Sequence, residues 1–494
     1  MILQLSGHNY QYEMENLCRV FLPGEKIILL DEEVGIENTE EKETFVKVIL
    51  TKADRVITAS ACVEYDGRYA QEEKTLDLEK AEDENELERI LAVCLYNAFA
   101  KVTGYFPEWG ILTGVRPTKL MHSLINSQGE NYAKKYFQDS LLVNENKTEL
   151  ARSVCSNENK VLDRIDRDKF SLYVAIPFCP SRCNYCSFVS HSIAGARAKK
   201  TIPQYVANLC FELEELGNIT CELGLELQTI YIGGGTPTVL NCELMETLLK
   251  SIDSSFNTED VDEYTVEAGR PDTITKENLN LLKSFGVHRI SINPQSFVDE
   301  VLDQAGRGHD SYTAEAAYLI ARSVGFDCIN MDLIAGLPGD STDGFVYSLK
   351  KTIDLAPENI TVHTLCMKRS AALREHGRSF FEEHRANGMV KSASELLPQN
   401  EYIPYYMYRQ SLSLGNQENV GWSIENKECL YNILMIEECQ TVFAAGAGAV
   451  TKLKVPGKNI IERIFNFKYP FEYNNRFDEI LNRKSRIKEF YRSV

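Results

Sequence analysis

The sequence predicts an α/β protein, with a partial, parallel-stranded barrel of six βα units between an α+β region before it and another after it. Three observations carry this. Between about 170 and 370, apolar runs of strand length alternate with helical stretches, roughly 30 residues to each pair. Three closely spaced cysteines follow the first of these strands. A glycine triplet ends the second, and in barrels of this kind chemistry gathers at the C-terminal ends of the strands.

Residues 1–165 read as a separate accessory domain. Phe45–Leu50 and Arg55–Ala59 are strand-like. Asp83–Thr103 carries Leu87, Ile90, Leu91, Val93, Cys94, Ala98 and Val102 near helical spacing. The segment Gly110-Ile111-Leu112-Thr113-Gly114-Val115-Arg116-Pro117-Thr118-Lys119 fits neither a P-loop nor a Rossmann fingerprint, and reads as an anion cradle or a structural turn. Polar Asp163–Lys169 is a linker. The barrel region, 166–375, has strands at Leu172–Phe178, Thr229–Ile232, Glu263–Glu267, Arg289–Ile292, Cys328–Ile334 and Asn359–Leu365. Helices between them fall at Pro203–Leu216, Leu244–Ile252, Lys276–Phe285, Ala314–Val324 and Thr342–Leu355. The final domain, 376–494, is less regular, with an aromatic run Tyr402–Gln410 and a glycine run Ala445–Ala449.

Composition narrows the class. A formal charge of −19 disfavours a general nucleic-acid binder, which shows a basic face. No apolar run reaches membrane-spanning length and the N-terminus lacks a signal-peptide pattern, so a cytoplasmic protein is expected. Of fourteen cysteines, those outside the close-spaced run are scattered without paired spacing, as free thiols are in a reducing compartment.

The run itself is Cys179-Pro-Ser-Arg-Cys183-Asn-Tyr-Cys186. Three thiolates on one loop can hold three corners of a [4Fe–4S] cube and leave the fourth iron open. The alternatives are a zinc knuckle or unrelated thiols, although zinc sites normally take four ligands and no second cysteine pair occurs here. At the end of the second strand stands Tyr231-Ile232-Gly233-Gly234-Gly235-Thr236-Pro237-Thr238, whose glycines allow close backbone approach.

Together these runs resemble the radical S-adenosylmethionine (SAM) superfamily, and within it the HemN-like branch of oxygen-independent coproporphyrinogen III dehydrogenases. The resemblance implies a partial (β/α)6 radical SAM barrel with [4Fe–4S] and SAM as cofactors. It implies Cys179, Cys183 and Cys186 as cluster ligands. Gly234, Gly235 and Thr236 fall in the SAM-binding glycine motif. Glu267 in Val266-Glu267-Ala268, Gln295 in Ser291–Phe297, Arg307 in Gly306–His309 and Asp332 in Asn330–Gly339 match SAM-contacting positions. Tyr173, six residues before the first cysteine, matches a further site residue, and Tyr173 and Arg307 are carried over as catalytic. Alone, each polar residue reads equally well as a strand cap or a surface group.

HemZ-type dehydrogenases resemble the chain further, in Gly110–Lys119, Val266–Thr273, Thr361–Leu365 and Pro404–Gln410. The implied reaction is oxidative decarboxylation of two propionates of coproporphyrinogen III to vinyl groups, giving protoporphyrinogen IX. The implied partners are a tetrapyrrole substrate and a reduced flavodoxin or ferredoxin-type electron donor. Propionates want cationic partners, for which Lys368, Arg369 and Arg409 are candidates; surface charge is the other reading of each. One departure is Phe188, where HemN enzymes have an extra cysteine. Haem chaperones of the superfamily also lack it. Their HNxxYW-like segment corresponds here to Tyr431–Ile436, without the His or Trp. Two further readings stay open: another radical SAM enzyme, such as a methyltransferase or tetrapyrrole-ring opener, and a haem-binding or trafficking protein. His309 and His363 are the histidines placed for haem, or are ordinary hydrogen-bonded core residues.

Overall fold

The structure, a computed structural model, describes residues 1–30, 44–53, 55–77, 84–162, 165–166, 168–188, 190–366, 380–455 and 460–492. Lys368 and Arg369 lie outside this set. The chain forms two compact units, one of Met1–Cys155, His376–Asn387 and Tyr408–Glu418, the other of Ser156–Glu375, Gly388–Met407 and Asn419–Val494.

The first unit is built on strands β1 (Ile2–Ser6), β2 (Ile28–Leu30), β3 (Phe45–Ala53), β4 (Val56–Tyr65) and β5 (Arg68–Asp77), in the order β2-β1-β3-β4-β5. Strand β1 runs parallel to β2 and β3, and β3, β4 and β5 form an antiparallel meander. Strand β4 alternates, burying Ile57, Ala59, Ala61 and Val63 in one core with residues of helices α1 (Gln11–Phe21) and α2 (Glu84–Thr103). Phe21 stacks on Phe99 with ring centres 4.8 Å apart. Helices α3 (Pro117–Gln128), α4 (Glu130–Lys135) and α5 (Glu145–Leu162) follow.

Pro117 opens α3, where its missing N–H is no loss. The glycine-rich segment before it is a structural turn. Buried Arg409 donates to the carbonyls of Leu112, Gly114 and Asn416, and its guanidinium lies 5.2 Å over the Trp109 ring. Trp109 and Lys147 both donate to buried Glu418, at 2.7 and 2.6 Å. Nη1 and Nη2 of Arg409 are therefore committed to backbone carbonyls, a structural role in holding this turn.

The second unit holds β6 (Lys169–Ile176), the short pair β7 (Phe178–Cys179) and β8 (His191–Ser192), β9 (Glu226–Gly234), β10 (Glu263–Glu267), β11 (Arg289–Gln295), β12 (Cys328–Ala335), β13 (Asn359–Thr364), most of β14 (Ile403–Arg409) and of β15 (Glu418–Ser423), and β16 (Thr441–Ala445), β17 (Val450–Lys454) and β18 (Ile461–Phe465). Among the described residues one sheet runs β14-β15-β13-β12-β11-β10-β9-β6-β16-β17-β18. Strands β6, β9, β10, β11, β12 and β13 are the six expected strands, parallel throughout. The helices are α6 (Ala196–Leu223), α7 (Cys242–Ser255), α8 (Lys276–Ser284), α9 (Asp299–Gln304), α10 (Ser311–Val324), α11 (Thr342–Leu355), α12 (Phe380–Gln399), α13 (Leu430–Glu437), α14 (Pro470–Asn475) and α15 (Phe477–Arg492). No helix is long and apolar enough to cross a membrane, among the described residues.

Local sequence sets the helix starts. Asn241, Thr275, Asp310 and Ser341 each accept a backbone N–H from the first turn of α7, α8, α10 and α11. The apolar strand residues Ile230, Ile232, Val266, Ile290 and Ile292 share one core with Leu209, Leu213, Leu248, Leu249 and Leu282 of the helices. Helix α6 begins at Ala196, earlier than Pro203, and contains that proline. Phe178 leaves the first strand and joins β7, after Pro177 interrupts the ladder.

The C-terminal region extends the sheet at both edges. Strand β16 pairs parallel with β6, and β15 pairs antiparallel with β13. Beyond β16, Gly446 (φ +98°) turns so close to β6 that a Cβ there would sit 2.6 Å from the Ala175 carbonyl. Glu212 of α6 accepts from the Gly446 N–H at 2.8 Å, Tyr473 Oη at 2.6 Å and Asn466 Nδ2 at 2.7 Å. It also pairs with Lys484 of α15 at 2.8 Å, both side chains fully buried. Lys484→Ala should strand a buried carboxylate and cost about 3–5 kcal/mol in urea unfolding. The double replacement Glu212→Gln with Lys484→Met should cost clearly less.

Candidate active site

The three cysteines lie where β6 ends. Cys179 closes β7, and the loop from Pro180 to Phe188 returns to β8. The glycine run of β9 presses against this start. Gly235 N–H donates to the Ile176 carbonyl at 2.9 Å and Thr236 N–H to the Phe178 carbonyl at 2.7 Å. A Cβ on Gly235 would lie 2.5 Å from the Phe178 oxygen, so only glycine fits. Gly234 takes φ +106°, which favours glycine as well. Thr236 is buried and its hydroxyl lies 3.5 Å from Cys179 Sγ.

The far side of the cysteine loop is held by the end of α9 and by two arginines, Arg270 after β10 and Arg307 after α9. Asn184 N–H donates to the Ala305 carbonyl at 3.0 Å, and its side-chain amide to the Gln304 carbonyl at 3.1 Å. Arg307 donates to Tyr185 Oη at 3.2 Å, to the carbonyls of Gly269 and Asn293, and towards Cys183 Sγ at 3.8 Å. Arg270 reaches the same sulfur at 3.8 Å. Gly308 packs on Arg270, since a Cβ there would be 2.7 Å from Arg270 Nη2.

The remaining sequence-predicted residues come from neighbouring strand ends. Glu267 at the end of β10 accepts from Tyr231 Oη at 2.7 Å and from the Gly234 N–H at 3.2 Å. Burial pushes its carboxyl up to about 7; Asp332 adds to this, while the two hydrogen bonds and His363 oppose it. Asp332 accepts from Asn330 Nδ2 at 2.7 Å and lies 3.5 Å from His363 Nε2. Burial would raise Asp332 too, but His363, Asn330 and Thr361 outweigh it and hold it below the usual carboxylate range. Tyr173 stacks with Tyr231 and Tyr431 at 6.2 and 6.3 Å, and the latter two stack at 4.5 Å. Gln295 sits where the β11–β12 register shifts, at φ +68°, with a buried amide oxygen that has no protein partner. Gln295 thus combines a backbone conformation uncommon outside glycine with an unpartnered buried acceptor.

Sequence reasoning named no role for Arg270, Tyr231 or Tyr431. Arg270 was legible as the inserted cation of Glu267-Ala-Gly-Arg-Pro-Asp-Thr273, whereas nothing in the sequence near Tyr431 signals its stacking. His363 is the partner of Asp332. His309 is buried, and burial with the Arg307 charge pushes its imidazole down to about 3, so it is neutral. The Phe188 side chain is 67% exposed.

These residues fit the group the cysteine run implies. Three free thiols lie on one loop, and two guanidiniums, those of Arg270 and Arg307, reach the middle one, a charge complement to a thiolate-ligated cluster with net negative charge. The orphaned Gln295 oxygen and the Glu267 carboxylate supply acceptors for an ammonium-bearing ligand beside it.

Fold and site together define a radical SAM protein, and residues 173–351 match the family model described as the Radical SAM superfamily, whose members use a [4Fe–4S] cluster and SAM. The chain belongs to that superfamily and, within it, to the HemZ family. It is 34% identical over 465 residues, 92% of this chain and 92% of the relative, to the oxygen-independent coproporphyrinogen-III oxidase-like protein HemZ of Bacillus subtilis (strain 168). The heme chaperone HemW of the same organism is 34% identical over 199 residues, 40% of this chain and 51% of HemW. Among solved structures, coproporphyrinogen III oxidase (HemN) from Escherichia coli shares the fold, with TM-score 0.51 and 23% identity over 65% of this chain and 71% of that one.

Glu267 yields a pH prediction. Its folded value lies above the ordinary 4.5, so the carboxyl favours the folded protein below 4.5, and that contribution is lost as pH rises to about 7. Below about 7 it is mostly neutral and attracts an ammonium less. SAM binding, followed by calorimetry on the cluster-loaded protein, should weaken as pH falls below about 7, and Glu267→Gln should flatten that dependence.

Proposed function

We propose that the protein is an oxygen-independent coproporphyrinogen III dehydrogenase. It converts two propionates of coproporphyrinogen III to vinyl groups and yields protoporphyrinogen IX. The observation that carries this reading is the likeness to HemZ, which extends over 92% of both chains, whereas the HemW likeness spans 40% of this one. In the segment where haem chaperones have His and Trp, this chain has Tyr431, packed in the tyrosine stack.

When bound, the reduced cluster and SAM together supply a 5′-deoxyadenosyl radical. The chain's own residues do the rest. Cys179, Cys183 and Cys186 hold the cluster, and Thr236 touches the first of these sulfurs. Glu267, Gln295, Arg307 and Asp332 offer the polar groups for SAM. The buried faces of Tyr173, Tyr231 and Tyr431 exclude water from that side of the site. On the substrate, loss of one hydrogen atom from the propionate carbon β to the carboxylate is followed by loss of CO2. One electron passes to a one-electron acceptor, which leaves the vinyl group and balances the step. Reduction of the cluster falls to a flavodoxin or ferredoxin-type donor. Residues 1–165, in this reading, form an accessory platform for substrate or partner.

The test is anaerobic. Protein reconstituted with iron and sulfide, reduced and given SAM with coproporphyrinogen III, should form 5′-deoxyadenosine and protoporphyrinogen together. SAM cleavage with the porphyrinogen untouched overturns the substrate and favours another radical SAM reaction. Stable haem binding without turnover favours the trafficking reading. Cys179→Ala, Cys183→Ala and Cys186→Ala should each abolish SAM cleavage, and a variant with a full cluster and normal turnover overturns the ligand set.

A further inference from the structure

Cys183 is the one cysteine of the run that two guanidiniums reach, among the contacts of the described residues. Arg307 is at 3.8 Å and so is Arg270. Arg270 is 3% exposed and has its other donors fully engaged. Nε and Nη2 form a fork on Asp272 Oδ1 and Oδ2, both at 2.9 Å. Nη1 and Nη2 reach Ser181 Oγ at 3.3 Å, and Nη1 also reaches the Ser181 carbonyl at 3.3 Å. The fork fixes the guanidinium plane, and the Ser181 contacts tie it to the cysteine loop two residues before Cys183. Pro271 fixes the backbone after Arg270, and the side-chain-free edge of Gly308 leaves room for the guanidinium. A cation that is buried, always charged and clamped by an acid and a loop serine is more than packing requires.

The geometry points to Arg270 as a positioning residue that sets the reduction potential of the cluster through Cys183, with Asp272 as its counterweight. This rests on the reading that Cys179, Cys183 and Cys186 hold the cluster. A [4Fe–4S] core with three thiolates gains one further negative charge when a low-potential one-electron donor reduces it. A fixed cation at a ligand sulfur stabilises the more negative, reduced form and raises the potential. The carboxylate of Asp272, paired with that cation, partly offsets it. Charge and fold thus make opposite demands on the two residues: removing either breaks the same ion pair, but only the charge effect changes sign.

The measurement is a redox titration of the reconstituted cluster, followed by electron paramagnetic resonance and absorbance, with neither SAM nor substrate present. Arg270→Gln should lower the midpoint potential, Asp272→Asn should raise it, and Arg270→Lys should fall between wild type and Arg270→Gln. Iron content is read alongside. Shifts of the same sign in Arg270→Gln and Asp272→Asn, or none in either at full iron content, overturn the proposal. Should Arg270→Gln fail to retain iron, Asp272→Asn decides alone: a raised potential supports the proposal, and an unchanged one overturns it. A wild-type protein that takes up no cluster on the three cysteines overturns the underlying ligand reading instead.

Discussion

The close approach of β9 to the start of the cysteine loop is the constraint on which the site depends. Gly235 lies so near the Phe178 and Ile176 oxygens that a single methyl group would separate the two segments. That contact aligns Thr236 with Cys179, places the Gly234 N–H on Glu267, and so brings the ends of β6, β9 and β10 into one floor. The glycines are needed here for protein-to-protein contact, with Gly233 held as tightly against Glu267 and Tyr231. A ligand then meets a surface whose geometry is already fixed.

Above that floor, polar groups of opposite tendency sit side by side. Burial alone would raise both Glu267 and Asp332. Asp332 escapes because His363 and Asn330 serve it directly, whereas Glu267 has only a phenol and one backbone amide. One carboxylate therefore stays ionised across the neutral range while its neighbour titrates within it. Environment separates two chemically similar groups by role.

Much of this was legible in the sequence because local rules sufficed. The six parallel strands announced themselves as apolar runs, and the cysteine run together with the glycine motif after the second strand carried the resemblance to the radical SAM superfamily. What the sequence hid was set by partners distant along the chain. Helix α6 starts before Pro203 because Ala196 to Ile202 are mostly good helix formers, and the proline is carried inside the helix. Arg409 read as a substrate cation or a surface charge, and the structure instead buries it with Nη1 and Nη2 on the carbonyls of residues 112, 114 and 416. Tyr431 stacks in the site because Glu263 accepts the N–H groups of Leu430 and Tyr431 and so caps α13. Strand β16 reads as an ordinary glycine-flanked run, and its parallel place beside β6 follows from long-range pairing alone.

That last pairing has a consequence for biogenesis. Strand β6 carries the cysteine loop, yet one of its two neighbours, β16, is contributed by residues 441–445, long after the other barrel strands in chain order. As the polypeptide leaves the ribosome from its N-terminus, the other barrel strands emerge while this edge of β6 is still bare. The loop from Cys179 to Cys186 thus stands beside an unfinished sheet until the segment at 441–445 has been made.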